Sequence, residues 1–220
     1  MLLYPLGITR RKDVALAAEQ SAVERVAVRW VLAGELAVAA IDPPQGPPKP
    51  LEHAAALEAI HRRMCVLPVR FGTVLGGEAE IRSLLESRRR DLLERLDRLE
   101  GTCEMGLRIE LPERPATLPH LSLVASSSVS YLHQRRAHYQ GQDALSARAH
   151  RKVERVVREL HGTYREWRRL TPTPPCVVRL AFLVERKHIA AFQQRCQASR
   201  RERPGEQQTV LGPWPPYSFV

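Results

Sequence analysis

The sequence predicts two small α+β domains. Three observations lead there. A chain of 220 residues, 44% of them hydrophobic, has room for one large domain or two small ones. A stretch with three prolines and no periodicity, Leu111 to Pro119, interrupts the chain near its middle. On both sides of it, helical patterns lie between strands of the antiparallel kind. The domains are expected over residues 1–114 and 120–220, the second with a long helix and an ordered tail over 212–220.

The elements follow in order. Leu2 to Ile8, "LLYPLGI", is a short apolar run and reads as a strand. Val23 to Trp30 and Leu36 to Ile41 read as two strands joined through "AGE", a hairpin with a short glycine-containing loop. "DPPQGPPKP", Asp42 to Pro50, excludes helix and ladder alike. A helix should begin near Leu51, because Leu51, Ala54, Ala55, Leu57, Ile60 and Met64 recur at helical spacing. Val66 to Leu75 is β-branched and apolar, bounded by two glycines, and reads as a strand. Glu78 to Leu99 carries an apolar stripe (Ile81, Leu84, Leu85, Leu92, Leu93, Leu96, Leu99) and predicts one helix, ended by Gly101. "CEMGLRIEL" then alternates as a strand with Met105, Leu107, Ile109 and Leu111 on one face.

In the second half, Ser126 to Ser130 offers helix N-caps, and Tyr131 to Leu170 should be largely helical, with a break near Gly141. Its later apolar face is Val153, Val156, Val157, Leu160, Tyr164 and Trp167. "TPTPP", Thr171 to Pro175, ends it. Cys176 to Val184 reads as a strand, Lys187 to Ala198 as a helix and Gln207 to Leu211 as a last short strand. No repeat is visible at the level of residues.

Composition bounds the function. No apolar run approaches a bilayer span, and the basic residues at the amino end follow the apolar stretch, the reverse of a signal peptide. A cytoplasmic protein is the economical reading. Cys65, Cys103, Cys176 and Cys196 stand singly and are simplest as reduced, buried thiols. The net charge of +10 is confined to the second half: residues 1–112 hold 16 basic and 16 acidic side chains. Such asymmetry suits nucleic acid, an anionic surface or an acidic partner. With 30 arginines among 34 basic residues it also fits plain compositional bias.

A search for chemistry finds no constellation. His61 and Cys65 share a helix face without further ligands nearby, and His133 and His138 do not share one. "FGTVLGGE", Phe71 to Glu78, lacks the lysine and hydroxyl of a phosphate loop. "SSSVS" lacks a nucleophile elbow. The carboxylates between Glu78 and Glu100 have arginine neighbours, as surface ion pairs do. Arg151, Arg155 and Arg158 fall on one side of the long helix and could track phosphates, but Glu154, Glu159 and Glu166 interrupt the basic run.

Two stretches carry a family resemblance. "VLPVRFGTVLGGEAEIRSLL" (Val66 to Leu85), continuing to "LDRLEGTCEMGLRI" (Leu96 to Ile109), resembles the gas vesicle accessory proteins of the GvpF/GvpL family. The family's strand motif falls on Leu67, Pro68, Val69, Arg70, Phe71, Gly72 and Thr73, and its turn on Leu99, Gly101 and Glu104. The ending, "GPWPPYSFV" from Gly212 to Val220, is similar to the family's carboxyl-terminal signature through Trp214, Pro215, Tyr217 and Phe219. Weaker matches are "LYPLGI", "SYLHQRRAHY" and "AFLVERKHIAAF". Where members tend to carry an Asn-Ala-Ala-Tyr-Leu-Val strand, this chain has Val178 to Val184 without the asparagine.

The resemblance implies a ferredoxin-like amino-terminal domain and a second, modified α+β domain. It implies no enzymatic activity and no cofactor. It also implies a minor component that nucleates or assembles the gas vesicle shell through the shell protein GvpA and other accessory proteins, at the vesicle and in the cytoplasm during assembly. The alternative is a nucleic-acid-binding module using the basic half. Arg70 should have either a buried carboxylate partner or a binding role, and Phe71 and Trp30 read as core. The proline-stiffened tail, with three aromatics to bury, is expected to dock on the second domain.

Overall fold

A computed structural model describes residues 2–18, 28–41, 49–111, 146–171, 176–201 and 207–220. Most of the expected proline connector Asp42 to Pro50 (42–48) and of the boundary stretch Leu111 to Pro119 (112–119) lies outside these residues, as do the caps at 126–130, the break at Gly141 and "SYLHQRRAHY". The chain divides into two compact units: Met1–Glu104 with Pro213–Val220, and Met105–Gly212. In chain order the second unit is thus inserted into the first. This differs from the expected division at 114/120, because strand "CEMGLRIEL" contributes mostly to the second unit while the tail belongs to the first.

The first unit runs β1 (Tyr4–Arg10), α1 (Arg11–Ala18), β2 (Val28–Ala33), β3 (Leu36–Ile41), α2 (Pro50–Arg63), β4 (Leu67–Pro68), α3 (Glu78–Ser87) and α4 (Arg89–Leu99). Its sheet has the order β2-β3-β1-β4, every neighbouring pair antiparallel. That is the ferredoxin-like arrangement. β3 is buried along its whole length, and its alanines 37, 39 and 40 leave room for what covers them. Leu6, Ile41, Leu57, Ile60, Met64 and Val66 form the core, with Trp30 packed against it. Pro5 has no N–H to give the ladder, and the β1–β3 register shifts between Pro5 and Gly7. The Leu6 carbonyl there accepts the Val69 N–H at 2.9 Å.

α2 starts where the periodicity places it. Pro50 opens it, and the Glu52 carboxylate accepts the Lys49 N–H at 3.1 Å. α3 guards the outer edge of the sheet: Arg82 donates to the Leu32 carbonyl on β2 at 2.5 Å, and Glu78 pairs with Arg29. The expected single helix over Glu78–Leu99 is two, broken at Arg88 (φ −111°, ψ 14°). There the Ser87 hydroxyl bonds back to the Leu84 carbonyl at 3.0 Å and competes with the helix.

The second unit holds β5 (Thr102–Glu110), a helix over 146–159 (α5), β6 (Glu166–Arg169), β7 (Val177–Glu185), a 3-10 turn at Arg186–His188, α6 (Ile189–Arg201) and β8 (Gln207–Trp214). β5 and β8 each extend past the division into the first unit's residues. The sheet order, β6-β7-β5-β8, repeats that of the first sheet strand for strand. A duplication invisible in the residues is therefore plain in the topology. Phe182 on β7 packs edge-on to Tyr164 and against Phe192 of α6. The helix expected to reach Leu170 instead stops before Gly162 (φ +82°), which takes the left-handed turn that ends it. Trp167 accordingly lies on strand β6 and not on a helix face. All four cysteines are free thiols, three of them buried.

Gly7 marks the tightest approach in the first unit. A Cβ there would collide with the Val66 Cγ2 and lie 3.1 Å from the Leu67 carbonyl. Gly7→Ala should therefore cost about 1–3 kcal/mol and lower the melting temperature by roughly 3–10 °C. A wild-type melt would show that β1 and β4 do not meet in this register.

Candidate functional site

The residues of the family resemblance fall into two places on the first unit. One is the tail and its seat. After β8 the chain continues through buried Pro215 and Pro216 into a short 3-10 turn, Tyr217–Phe219. The turn is closed by Tyr217 N–H to the Pro215 carbonyl at 2.8 Å and Phe219 N–H to the Pro216 carbonyl at 3.1 Å. Phe219 is fully buried, and Trp214 is half-buried. The Glu104 side chain, itself 4% exposed, grips the turn with both oxygens. Oε2 accepts the Ser218 N–H at 2.7 Å and Oε1 the Ser218 hydroxyl at 2.8 Å. Arg98 on α4 donates to the Phe219 carbonyl.

Charge and packing thus reinforce one another. A buried carboxylate is costly unless hydrogen-bonded, and the tail supplies two donors to it. Tyr217 keeps 43% of its surface exposed, yet its hydroxyl is pushed up to about 12 by burial, with the Glu58 and Glu104 carboxylates adding to the effect. The tail expected on the second domain therefore sits in the first unit, because its polar anchors, Glu104 and Arg98, are there. Gly101 (φ +67°) ends α4 as expected, and the Thr102 hydroxyl bonds the Leu99 carbonyl at 2.7 Å, which sets up the entry to β5.

The second place is the turn after β4. The expected strand over Val66–Leu75 is only two residues long, since Pro68 cannot extend the ladder and Gly72 (φ +84°) reverses the chain. Thr73 closes the turn onto the Arg70 carbonyl through its N–H at 3.2 Å and its hydroxyl at 2.7 Å. Leu3 and Leu75 then pair reciprocally at 2.9 and 3.0 Å. This geometry turns Arg70 outward, exposed and with no carboxylate paired to it among the described residues. Phe71 is not core: it is 45% exposed, its ring edge-on to buried His53 with centroids 5.5 Å apart. Burial pushes the His53 pKa down, opposed by a hydrogen bond to the Pro5 backbone. Its Nε2 has no partner among the described residues.

Arg151, Arg155 and Arg158 lie on the solvent side of α5 in the second unit and join neither of these places. Sequence reasoning missed Ser218, Arg98 and His53. One signal for the first two was available: Glu104 stands between the apolar Cys103 and Met105 at the start of the strand, and a carboxylate buried there demands donors. Among the described residues, no group of three or more His, Cys, Asp or Glu side chains is placed to hold a metal ion.

Comparison with known proteins follows this geometry. The family model described as "Gas vesicle synthesis protein GvpL/GvpF" matches residues 2–220. A gas vesicle protein L from Streptomyces sp. (strain CB03234) is 29% identical over 181 residues, covering 76% of this chain and 67% of that protein. The crystal structure of GvpF from Anabaena sp. PCC7120 superposes with a TM-score of 0.75 at 17% identity, covering 99% of this chain and 97% of that one. GvpF from Microcystis aeruginosa superposes with a TM-score of 0.69 at 14% identity, over 99% and 98%. At those identities the two crystal structures speak for the fold.

Two outcomes test the site. Glu104→Gln places an amide NH2 against a donor of Ser218 and should cost about 1–3 kcal/mol. Limited proteolysis should then release residues 213–220 faster than in the wild type, and equal rates would remove the clamp. His53 has its pKa lowered from 6.5, so below that pH the unfolded chain binds the proton better and stability falls. In urea melts, the advantage of wild type over His53→Leu should shrink as pH drops below 6.5. A constant difference would mean the imidazole is not held neutral.

Proposed function

The chain belongs to the GvpL/GvpF family of gas vesicle synthesis proteins, and from that premise we propose that it works by binding proteins during assembly of the vesicle shell. It is a gas vesicle accessory protein. The finer reading is a non-enzymatic, minor component that engages the shell protein GvpA and other accessory proteins, in the cytoplasm and at the growing vesicle. The observation that carries the reading is the family match over residues 2–220, which takes in both the tail and the Leu67–Thr73 turn.

The two motif sites divide the labour physically. The tail buries its aromatic end and so serves the fold. The turn does the opposite. It presents Phe71, 45% exposed, and Val74, 42% exposed, three residues further along the same turn. Two exposed apolar side chains close together in sequence on a turn suit contact with an apolar partner. A shell subunit with apolar surface needs such cover before incorporation, or it aggregates. No helix among the described residues is long and apolar enough to cross a membrane, so the reading does not call on a bilayer span.

The test is made in vesicle-forming cells. Deleting the gene should abolish or sharply reduce vesicles, and GvpA should co-purify with the wild-type chain. Phe71→Asp with Val74→Asp should cut that co-purification about tenfold or more without lowering the melting temperature. Normal vesicles in the deletion strain would refute the assembly role. Undiminished co-purification of the folded double variant would move the GvpA contact elsewhere.

A further inference from the structure

We propose that the outer edge of β6 pairs with the same edge of a second copy of the chain. The two strands run antiparallel about Trp167, held in register by Glu166 of each copy against Arg168 of the other. This goes beyond the assembly role and is carried by the other unit and a different kind of contact.

The open edge follows from the ladder. β6 lies at one end of the sheet β6-β7-β5-β8, and Glu166 to Arg169 pair with Leu183 to Leu180 of β7. One residue on, the Leu170 N–H donates to the carbonyl of Arg179, its direct partner in the same register, at 2.9 Å. Antiparallel ladders alternate. Arg168 and Glu166 therefore turn their main-chain groups toward β7, as Leu170 does, and Trp167 and Arg169 turn theirs outward. No hydrogen bond from another element reaches Trp167 or Arg169 on that side among the described residues. Trp167 is 39% exposed, and Arg168 and Arg169 are exposed.

The first unit shows how this topology covers the equivalent edge. β2 holds the place of β6 in the shared strand order. α3, which follows β4, covers it through Arg82 on the Leu32 carbonyl and Glu78 on Arg29. β8 holds the place of β4, but it leads into the tail, which belongs to the first unit. Among the described residues no helix of the second unit bonds to β6 as α3 does to β2.

The occupant is read from the charges. Exposed edge strands commonly carry charge that turns other strands away. The order Glu166-Trp167-Arg168 instead makes this edge complementary to itself. An antiparallel copy must set outward-facing residues against each other, so a twofold axis can fall at Glu166, Trp167, Arg168 or Arg169. Centred on Glu166, Arg168 or Arg169, the pairing opposes two like charges at its axis. Centred on Trp167, it opposes Glu166 to Arg168 twice, in the non-hydrogen-bonded pairs where side chains lie closest. The two Trp167 residues then exchange N–H and carbonyl across the axis and lay their exposed rings together. The one like pair left, Arg165 against Arg169, is softened because Arg165 is already bonded to Glu185 at 2.9 Å.

The experiment follows the full chain by sedimentation velocity from about 1 to 300 μM, the range for a short, weak interface. The wild type should form a reversible dimer. Glu166→Arg and Arg168→Glu each turn both cross-strand pairs into like pairs, and each should weaken self-association about tenfold or more. Mixed in equal amounts, the two variants oppose arginine to glutamate at both pairs, so a mixed dimer should form at wild-type concentrations. The double variant, with both changes in one chain, should dimerise as the wild type does. If Glu166→Arg lowers the melting temperature, Arg168→Glu alone and the double variant carry the test.

A monomer throughout, a dimer indifferent to both single changes, or a mixture no more associated than its parts overturns the proposal. So does slow amide exchange at Trp167 and Arg169 in the dilute monomer, which would mean that the chain itself covers this edge. Vesicle formation and GvpA co-purification are read separately, so failure here leaves the assembly role standing.

Discussion

The grip of Glu104 on Ser218 is the interaction on which the first unit depends most. It joins residues 114 positions apart, across the whole of the inserted second unit. One buried carboxylate takes both a backbone N–H and a hydroxyl, and the fully buried Phe219 follows directly. Remove the donors and Glu104 becomes a buried charge with fewer partners; remove Glu104 and the tail keeps its apolar gain but loses its register. The prolines make this inexpensive in entropy, because 213, 215 and 216 have φ set before folding. An ending of this kind is thus part of the core, although it is the last segment of the chain.

The two units solve their electrostatics differently. Over residues 1–112, acids and bases are equal in number, and several pair with one another in the first unit, for example Arg10 with Asp97 and Glu100. These exposed pairs add little stability singly, and Phe71 and Val74 are among the large apolar side chains exposed beside them in the first unit. In the second, Arg151, Arg155 and Arg158 lie exposed on α5, and Arg168, Arg169 and Arg179 are exposed on β6 and β7. The shared strand order of the two sheets fits this division: one topology, built twice, carries two different exteriors.

Much of the fold was legible in the sequence, and the exceptions have physical causes. β3, α2, β5 and β7 announced themselves through periodicity, because each buries a consistent face or both faces. The helix over Glu78–Leu99 kept one stripe through a break that only the Ser87 back-bond reveals. β6 was hidden because Tyr164 and Trp167 continue the helical spacing of Val153 and Val156 past Gly162; a glycine in the left-handed region outweighed the periodicity. Phe71 read as core because its neighbours are apolar, yet Pro68 and Gly72 shorten the strand and turn the ring outward. The tail was recognisable as a segment that must be buried. Where it goes was set by Glu104 and Arg98, whose roles appear only when distant residues meet.

The most direct measurement is native-state hydrogen exchange at the Ser218 amide, whose N–H the account assigns to a buried carboxylate. Exchange slowed to the level of the β5 core amides is the result expected, with that protection lost in Glu104→Gln. Exchange at the rate of an unstructured peptide would contradict the account, since the tail would then be a loose end and not part of the fold.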